Sequence, residues 1–328
     1  EQYRRFMEVY SQKELPLADW QNLGQYTQDP QAHHHQVKHV LSYFDTRDIR
    51  QANLKVLVDA NNGTGALADP ILLQQLGVQY FVLNHTPNGH FSHDPEPLQK
   101  NLSEIISMMK TGQYDIGFVQ DADADRLVIL DEKGHFIGED YSLALCVDHI
   151  LTLNQDPNPT VVVNLSTSQI LDCVAQKHHA TIHHTKIGET HVTQGIKAHH
   201  AVAGGEGNGG VIYPKIGWGR DSLVGMVLAL DYLAKSKKTV SQWVSQYPQF
   251  TMLREKVSVS SQAEIQKWIM QASDRFPDAP KNTEDGVKIL LDQAWIHVRP
   301  SNTEPIIRIF IEADSMDKAQ ALLAQLQG

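Results

Sequence analysis

The sequence predicts an α/β protein: two successive domains of alternating strands and helices, then an α+β domain of antiparallel strands covered by helices. Three observations predict it. Short β-branched runs at 54–59, 116–119 and 160–163 alternate with helical stretches as far as about residue 250. Glycine-bearing turns at 60–66 and 205–210 lie beside those runs. Beyond Pro248 the order changes to strand, helix, paired strands and helix. At 328 residues the chain exceeds one ordinary core, so two or three domains are expected.

Taken in order, residues 1–36 read as a helical tail and linker, broken at Pro16 and Pro30. A helix over 31–43 leads into a first domain, 37–142. Its strand at 54–59 runs through a glycine turn into a helix expected to start at Asp69-Pro70, a cap and first-turn pair. Gly63 and Gly65 lack the dinucleotide fingerprint and the Walker lysine, so tight-turn geometry explains them. A strand at 79–83 and a helix at 98–110 follow. The second domain, 143–250, takes a helix over 141–153 across the boundary. It continues with strands at 160–163 and 181–185, and Ser166 to Ser168 caps the helix between them. A glycine turn at 205–210 precedes a long amphipathic helix at 221–234. The third, 251–328, reads as a strand at 255–259, a helix at 263–273, two strands around a loop within 287–308, and a helix at 316–326. No internal repeat is evident.

Composition narrows the function. With 41% hydrophobic and 20% charged residues the chain reads as soluble and globular. A net charge of −10 argues against nucleic acid as the partner, and an anionic substrate would need local basic groups. No run approaches membrane-spanning length and no signal peptide opens the chain. Cys146 and Cys173 sit in apolar company, unsuited to zinc, which suggests a reducing, cytoplasmic setting. His33-His34-His35 reads as a solvated run, since consecutive residues do not share a helix face. The first residue is not Met, so a preceding segment is expected.

The chemistry centres on residues 115–132. Asp121, Asp123 and Asp125 lie between two buried apolar runs, with Arg126 behind them. Three carboxylates so close repel unless a cation lies between, and hard divalent ions such as Mg²⁺ take oxygen ligands. Arg126 adds a fork of donors suited to phosphate. An EF-hand loop would share the Asp spacing and Glu132, but Arg126 stands where its glycine is needed. An aspartyl-nucleophile phosphatase would use Asp121 but would not need the third Asp or the Arg.

Two further loops carry polar groups. Gly205-Glu206-Gly207-Asn208-Gly209-Gly210 puts a carboxylate and a carboxamide on flexible backbone, which suits vicinal sugar hydroxyls, though a plain glycine-rich β-turn would read the same way. The stretch from Arg299 through Ser301, Asn302 and Thr303 to Arg308 converges hydroxyls, an amide and two arginines on one turn, a phosphate cradle. Arg299 is expected to be exposed there, so its loss should leave stability unchanged.

Together the three loops resemble the α-D-phosphohexomutase family, in family order. Asp-Ala-Asp-Ala-Asp-Arg (121–126) is similar to its metal loop, with Ala122 replacing the usual Gly. Arg-Pro-Ser-Asn-Thr-Glu-Pro (299–305) is similar to its phosphate loop. Residues 205–210 resemble its sugar-binding loop, with Gly210 where many members carry a His. The resemblance implies the family's second, third and fourth domains, with mixed sheets in the first two. It implies Mg²⁺ on Asp121, Asp123 and Asp125, and hydroxyl binding by Glu206 and Asn208. It implies phosphate binding by Arg299, Ser301, Asn302, Thr303 and Arg308, and catalytic roles for Arg126 and Lys186. The expected substrates are a hexose phosphate and its hexose 1,6-bisphosphate. The family's phosphoryl-carrying serine belongs to its first domain, which is the expected missing partner. Ser92-His93-Asp94-Pro95 looks like that serine's loop, yet it falls within the second-domain equivalent, in a polar stretch read as a solvated connection.

Overall fold

A computed structural model of the chain describes residues 2–12, 17–301 and 304–328. The chain divides into two compact units, Glu1–Ala32 and His33–Gly328. The smaller unit contains helix α1 (Gln2–Tyr10), which buries none of its residues. A helix of that length without a buried face has little to hold it.

The larger unit takes all but the first residue of α2 (Ala32–Leu41), followed by α3 (Arg47–Ala52). They lead to β1 (Lys55–Asp59), α4 (Gly65–Leu76), β2 (Gln79–Leu83), α5 (Ser103–Met109), β3 (Ile116–Gln120) and β4 (Leu127–Leu130). These strands form a mixed sheet of order β2-β1-β3-β4, parallel except for β4. Every residue of β3 and β4 is buried, as a strand covered on both faces demands.

Next come α6 (Glu139–Leu153), β5 (Thr160–Asn164), α7 (Ile170–Lys177), β6 (Thr181–Thr185) and α8 (Glu189–His199). They are followed by β7 (Ala203–Glu206), β8 (Gly210–Ile212), α9 (Ser222–Ser236) and α10 (Val240–Val244). The second sheet runs β6-β5-β7-β8 with only β8 antiparallel, which repeats the strand order of the first. The repeat escapes the sequence because topology, not residue identity, is what recurs.

Asp221 caps α9 by accepting from the backbone N–H of Leu223 and Val224. Where an amphipathic helix is expected, α9 is buried on nearly every side, because it packs against α3, α6, β4 and β8 together. One apolar core, from Val37 to Tyr247, therefore serves both sheets. The third sheet, β9 (Thr251–Ser258), β10 (Lys281–Asn282), β11 (Val287–Leu291), β12 (Ala294–Pro300) and β13 (Ile306–Ala313), is antiparallel throughout. Helices α11 (Gln262–Arg275) and α12 (Met316–Gln327) pack against it around a second core.

Several expected boundaries move. Helix α4 starts at Gly65, four residues before Asp69, so Pro70 lies inside it and Asp69 is buried rather than capping. Helix α6 starts at Glu139, so a boundary after residue 142 would cut its first turn. The 98–110 helix splits into a 3-10 turn (Gln99–Asn101) and α5. Three strands occupy 287–308 and beyond, not two, because residues 291–294 turn the chain once more. Among the described residues, no helix is long and apolar enough to cross a membrane.

Candidate active site

The β3–β4 turn is where the first sheet carries its charge. Ala124 adopts φ +59°, the left-handed conformation that reverses the chain within the Asp stretch. Asp121 is buried, Asp125 half-buried and Asp123 exposed, and one oxygen of each lies within 4.8 Å of the others. Burial pushes Asp121 up to about 6; the charges of Asp125 and Asp123 add to it, against a hydrogen bond from the Arg126 N–H. Arg126 folds back over the turn, its Nε 3.3 Å from Asp121 Oδ2. Asp125 Oδ1 is buried without a hydrogen bond. An orphaned carboxylate oxygen within such a cluster fits a hard divalent cation such as Mg²⁺.

The turn is braced from below. Gln120 Nε2 donates to Asp69 Oδ1 (3.1 Å) and to Ser222 Oγ (2.8 Å), and Ser222 Oγ donates to the Ala124 carbonyl (2.6 Å). From the side, Thr64 N–H donates to the Ala122 carbonyl, and a Cβ on Gly63 would overlap that same carbonyl. This close approach is why residue 63 is glycine. A cavity of about 240 Å³ opens beside the turn, bordered by Thr64, Asp123, Asp125, Arg220 and Leu223.

The β7–β8 turn of the second sheet occupies the equivalent position, and the two turns touch. Leu127 N–H donates to the Gly209 carbonyl at 3.2 Å. Glu206 is 5% exposed. Its Oε1 accepts from Asn164 Nδ2 (2.9 Å) and Gly188 N–H (3.1 Å), and its Oε2 from Arg220 Nη1 (3.0 Å). Three of the roughly four acceptor positions of a carboxylate are thus taken by protein. Asn208 accepts from Gly210 N–H (3.2 Å), and among the described residues its Nδ2 has no partner. Lys186 is exposed, on the turn between β6 and α8. The next two backbone N–H groups of that turn hold Asp285 (3.1 Å, from Ile187) and Glu206.

Arg299 and Arg308 face one another across β12 and β13. Each is matched by an acid: Arg299 Nε donates to Asp285 Oδ2 at 3.0 Å, and Arg308 Nη2 to Glu304 Oε2 at 2.7 Å. Arg299 is only 4% exposed, which overturns the expectation of an exposed residue without structural weight. Like charges directly opposite in a ladder repel, so each arginine keeps its own counter-ion. Ser301 follows β12, its N–H bonded to the Ile306 carbonyl at 2.9 Å. Asn302 and Thr303 lie outside the described residues.

The stretch around Ser92 is exposed as expected, yet it is pinned. Asn61 Oδ1 accepts from the N–H groups of Ser92 and His93, and Asn62 Nδ2 donates to Ser92 Oγ at 3.0 Å. Sequence reasoning missed Arg220, Glu189, Asn164 and Asp285. None carries a local signature, since their partners lie far along the chain.

Three stretches match models of one family. Residues 34–134 match "Phosphoglucomutase/phosphomannomutase, alpha/beta/alpha domain II", 138–250 its domain III, and 256–327 its C-terminal domain. The phosphoglucomutase/phosphomannomutase of Thermococcus kodakarensis is 33% identical over 318 residues, covering 96% of this chain and 69% of that protein. The chain belongs to the α-D-phosphohexomutase family. The phosphoglucosamine mutase of Methanocaldococcus jannaschii is 27% identical over 323 residues, covering 96% of this chain and 71% of that one. Among solved phosphohexomutase folds, Aspergillus fumigatus N-acetylphosphoglucosamine mutase in complex with GlcNAc-6P and magnesium has a TM-score of 0.66 at 16% identity. That match covers 92% of this chain and 66% of the other. The chain thus spans about two thirds of the length of the proteins it matches.

Proposed function

We propose that the chain supplies the cation-, sugar- and phosphate-binding parts of a mutase that interconverts hexose 1-phosphate and hexose 6-phosphate. The route runs through a phosphoserine and a hexose 1,6-bisphosphate. The observation that carries this reading is the joining of the Asp turn to the Glu206 turn, by the Leu127–Gly209 hydrogen bond and by Arg220.

Mg²⁺ held by Asp121, Asp123 and Asp125 would draw charge from the phosphoryl group in transfer. Arg126 stabilises that group from the side. Asn208 and the remaining acceptor position of Glu206 bind sugar hydroxyls. Arg299, Ser301, Asn302, Thr303 and Arg308 hold the phosphate that is not reacting, which orients the sugar for in-line attack. A sugar hydroxyl attacks the phosphorus, the phosphoserine P–O bond breaks, and Lys186 is our candidate for moving the hydroxyl proton. We assign the phosphoryl-carrying serine to a part of the protein outside these residues, not to Ser92.

We draw the domain edges near residues 37, 138 and 250. Relatives bear both phosphoglucomutase/phosphomannomutase and phosphoglucosamine mutase names, which supports our reading of the hexose as glucose, mannose or glucosamine. Turnover of glucose 1-phosphate, mannose 1-phosphate and glucosamine 1-phosphate by the full-length protein tests the reading. Conversion of none of the three sinks it.

A further inference from the structure

The residue that ties this site together is one that the loop motifs do not contain. Arg220 stands between Gly219 and the α9 cap Asp221, and its side chain is 12% exposed. Its guanidinium meets three carboxylates from three separate segments. Nη2 donates to Asp125 Oδ2 on the Asp turn, Nη1 to Glu206 Oε2 at the end of β7, and Nε to Glu189 Oε2 at the start of α8. Gly210 makes room for it: a Cβ there would overlap Arg220 Cδ. An arginine guanidinium stays protonated in proteins. The cation is permanent.

We propose that Arg220 is a positioning residue with two opposed effects, competing with the metal for Asp125 while fixing Glu206 for the sugar. The inference rests on the reading that Asp121, Asp123 and Asp125 bind a divalent cation in a hexose phosphate site. Asp125 offers Oδ2 to Arg220, while its Oδ1 accepts no hydrogen bond and lies 3.7 Å from Arg126 Nε. A positive charge fixed there lowers the affinity of the turn for a second one, as Coulomb's law requires. On its other side the same fork holds a carboxylate whose remaining acceptor position serves the substrate. Binding geometry is gained at the expense of metal affinity.

The test is calorimetric titration of the full chain with Mg²⁺, and separately with glucose 6-phosphate. It uses the parent, Arg220→Gln and Arg220→Lys, with circular dichroism to verify folding. In Arg220→Gln, Mg²⁺ should bind roughly three- to tenfold more tightly, while glucose 6-phosphate binds several-fold more weakly. Arg220→Lys should return Mg²⁺ affinity towards the parent, because the charge is restored. It should not restore the sugar phosphate, because the fork is lost. A merely structural role would weaken both ligands together. Affinities that move in the same direction, or only one that moves, overturn the proposal. A parent that binds neither ligand defeats instead the functional reading beneath it.

Discussion

Asp59 and His93 form an ion pair of 3.2 Å between Oδ2 and Nε2, across 34 positions of sequence. Asp59 ends β1 and His93 follows Ser92, so the pair fastens the connecting stretch to the C-terminal end of an interior strand of the first sheet. Burial opposes the ionised form of both. Hydrogen bonds from His93, Asn84 and Asn61 nevertheless hold Asp59 below its ordinary value, and those to Asp59 and Asp94 raise His93. The Asp59 contribution is present above roughly pH 4 and is lost as pH falls through its lowered folded value. The His93 contribution is complete below roughly pH 6.5 and is lost as pH rises through its raised folded value. His93→Gln should cost about 1–3 kcal/mol between those limits and little outside them. Thermal unfolding across a pH series checks this, and a pH-independent loss would refute it.

A second expectation concerns Asp69, whose complete burial pushes it up to about 8, against a hydrogen bond from Gln120. The folded protein then keeps a proton that the unfolded chain has lost. Stability should fall as pH rises from roughly 4 towards that folded value. Asp69→Asn keeps the shape without the titration, so its melting temperature should fall less over that range than the parent's. Parallel curves would show that Asp69 is ionised in the fold.

Metal binding has its own test. Asp123 is the most exposed of the three turn carboxylates, so its removal disturbs packing least. Asp123→Ala should lower Mg²⁺ affinity by about tenfold or more with the melting temperature nearly unmoved. Equal affinity in both proteins, by calorimetry, removes the turn from the chemistry.

Arg299→Ala should weaken hexose phosphate binding and stability together. It leaves Asp285 short of its charged partner, a loss of about 1.5–3 kcal/mol for a charge-assisted bond. Urea denaturation and ligand titration measure the two effects. Loss of stability with binding intact would make Arg299 purely a clamp on Asp285.

Ser92 provides a fifth test. Incubation of the chain with a hexose 1,6-bisphosphate should leave its intact mass unchanged, because the phosphoryl carrier is assigned elsewhere. Covalent phosphate on Ser92, abolished in Ser92→Ala, would reverse that assignment.

Much of this was legible in the sequence where the cause is local. The Asp turn announced itself because apolar β-branched runs bracket three acids, and Asp221 marks the start of α9 by a short-range cap. Pro70 misled for the opposite reason. Its preference for a first helical turn yields to packing that starts α4 at Gly65. Arg220 was invisible because its three acids lie 95, 31 and 14 positions away. The burial of Arg299 was hidden likewise, since Asp285 reaches it only after β11 and β12 have paired.

The repeated strand order has a consequence of its own. Viewed as a duplication, the chain holds two copies of one hairpin that now display different chemistry at the same bend. The first copy gathers three acids, two of them paired with arginines; the second shows a single acid, held by Arg220, beside an amide. On the function proposed above, such a division of labour would separate the power to handle phosphate from the choice of sugar. Swapping the second bend between family members should therefore alter which hexose is preferred while the first copy goes on holding its ion.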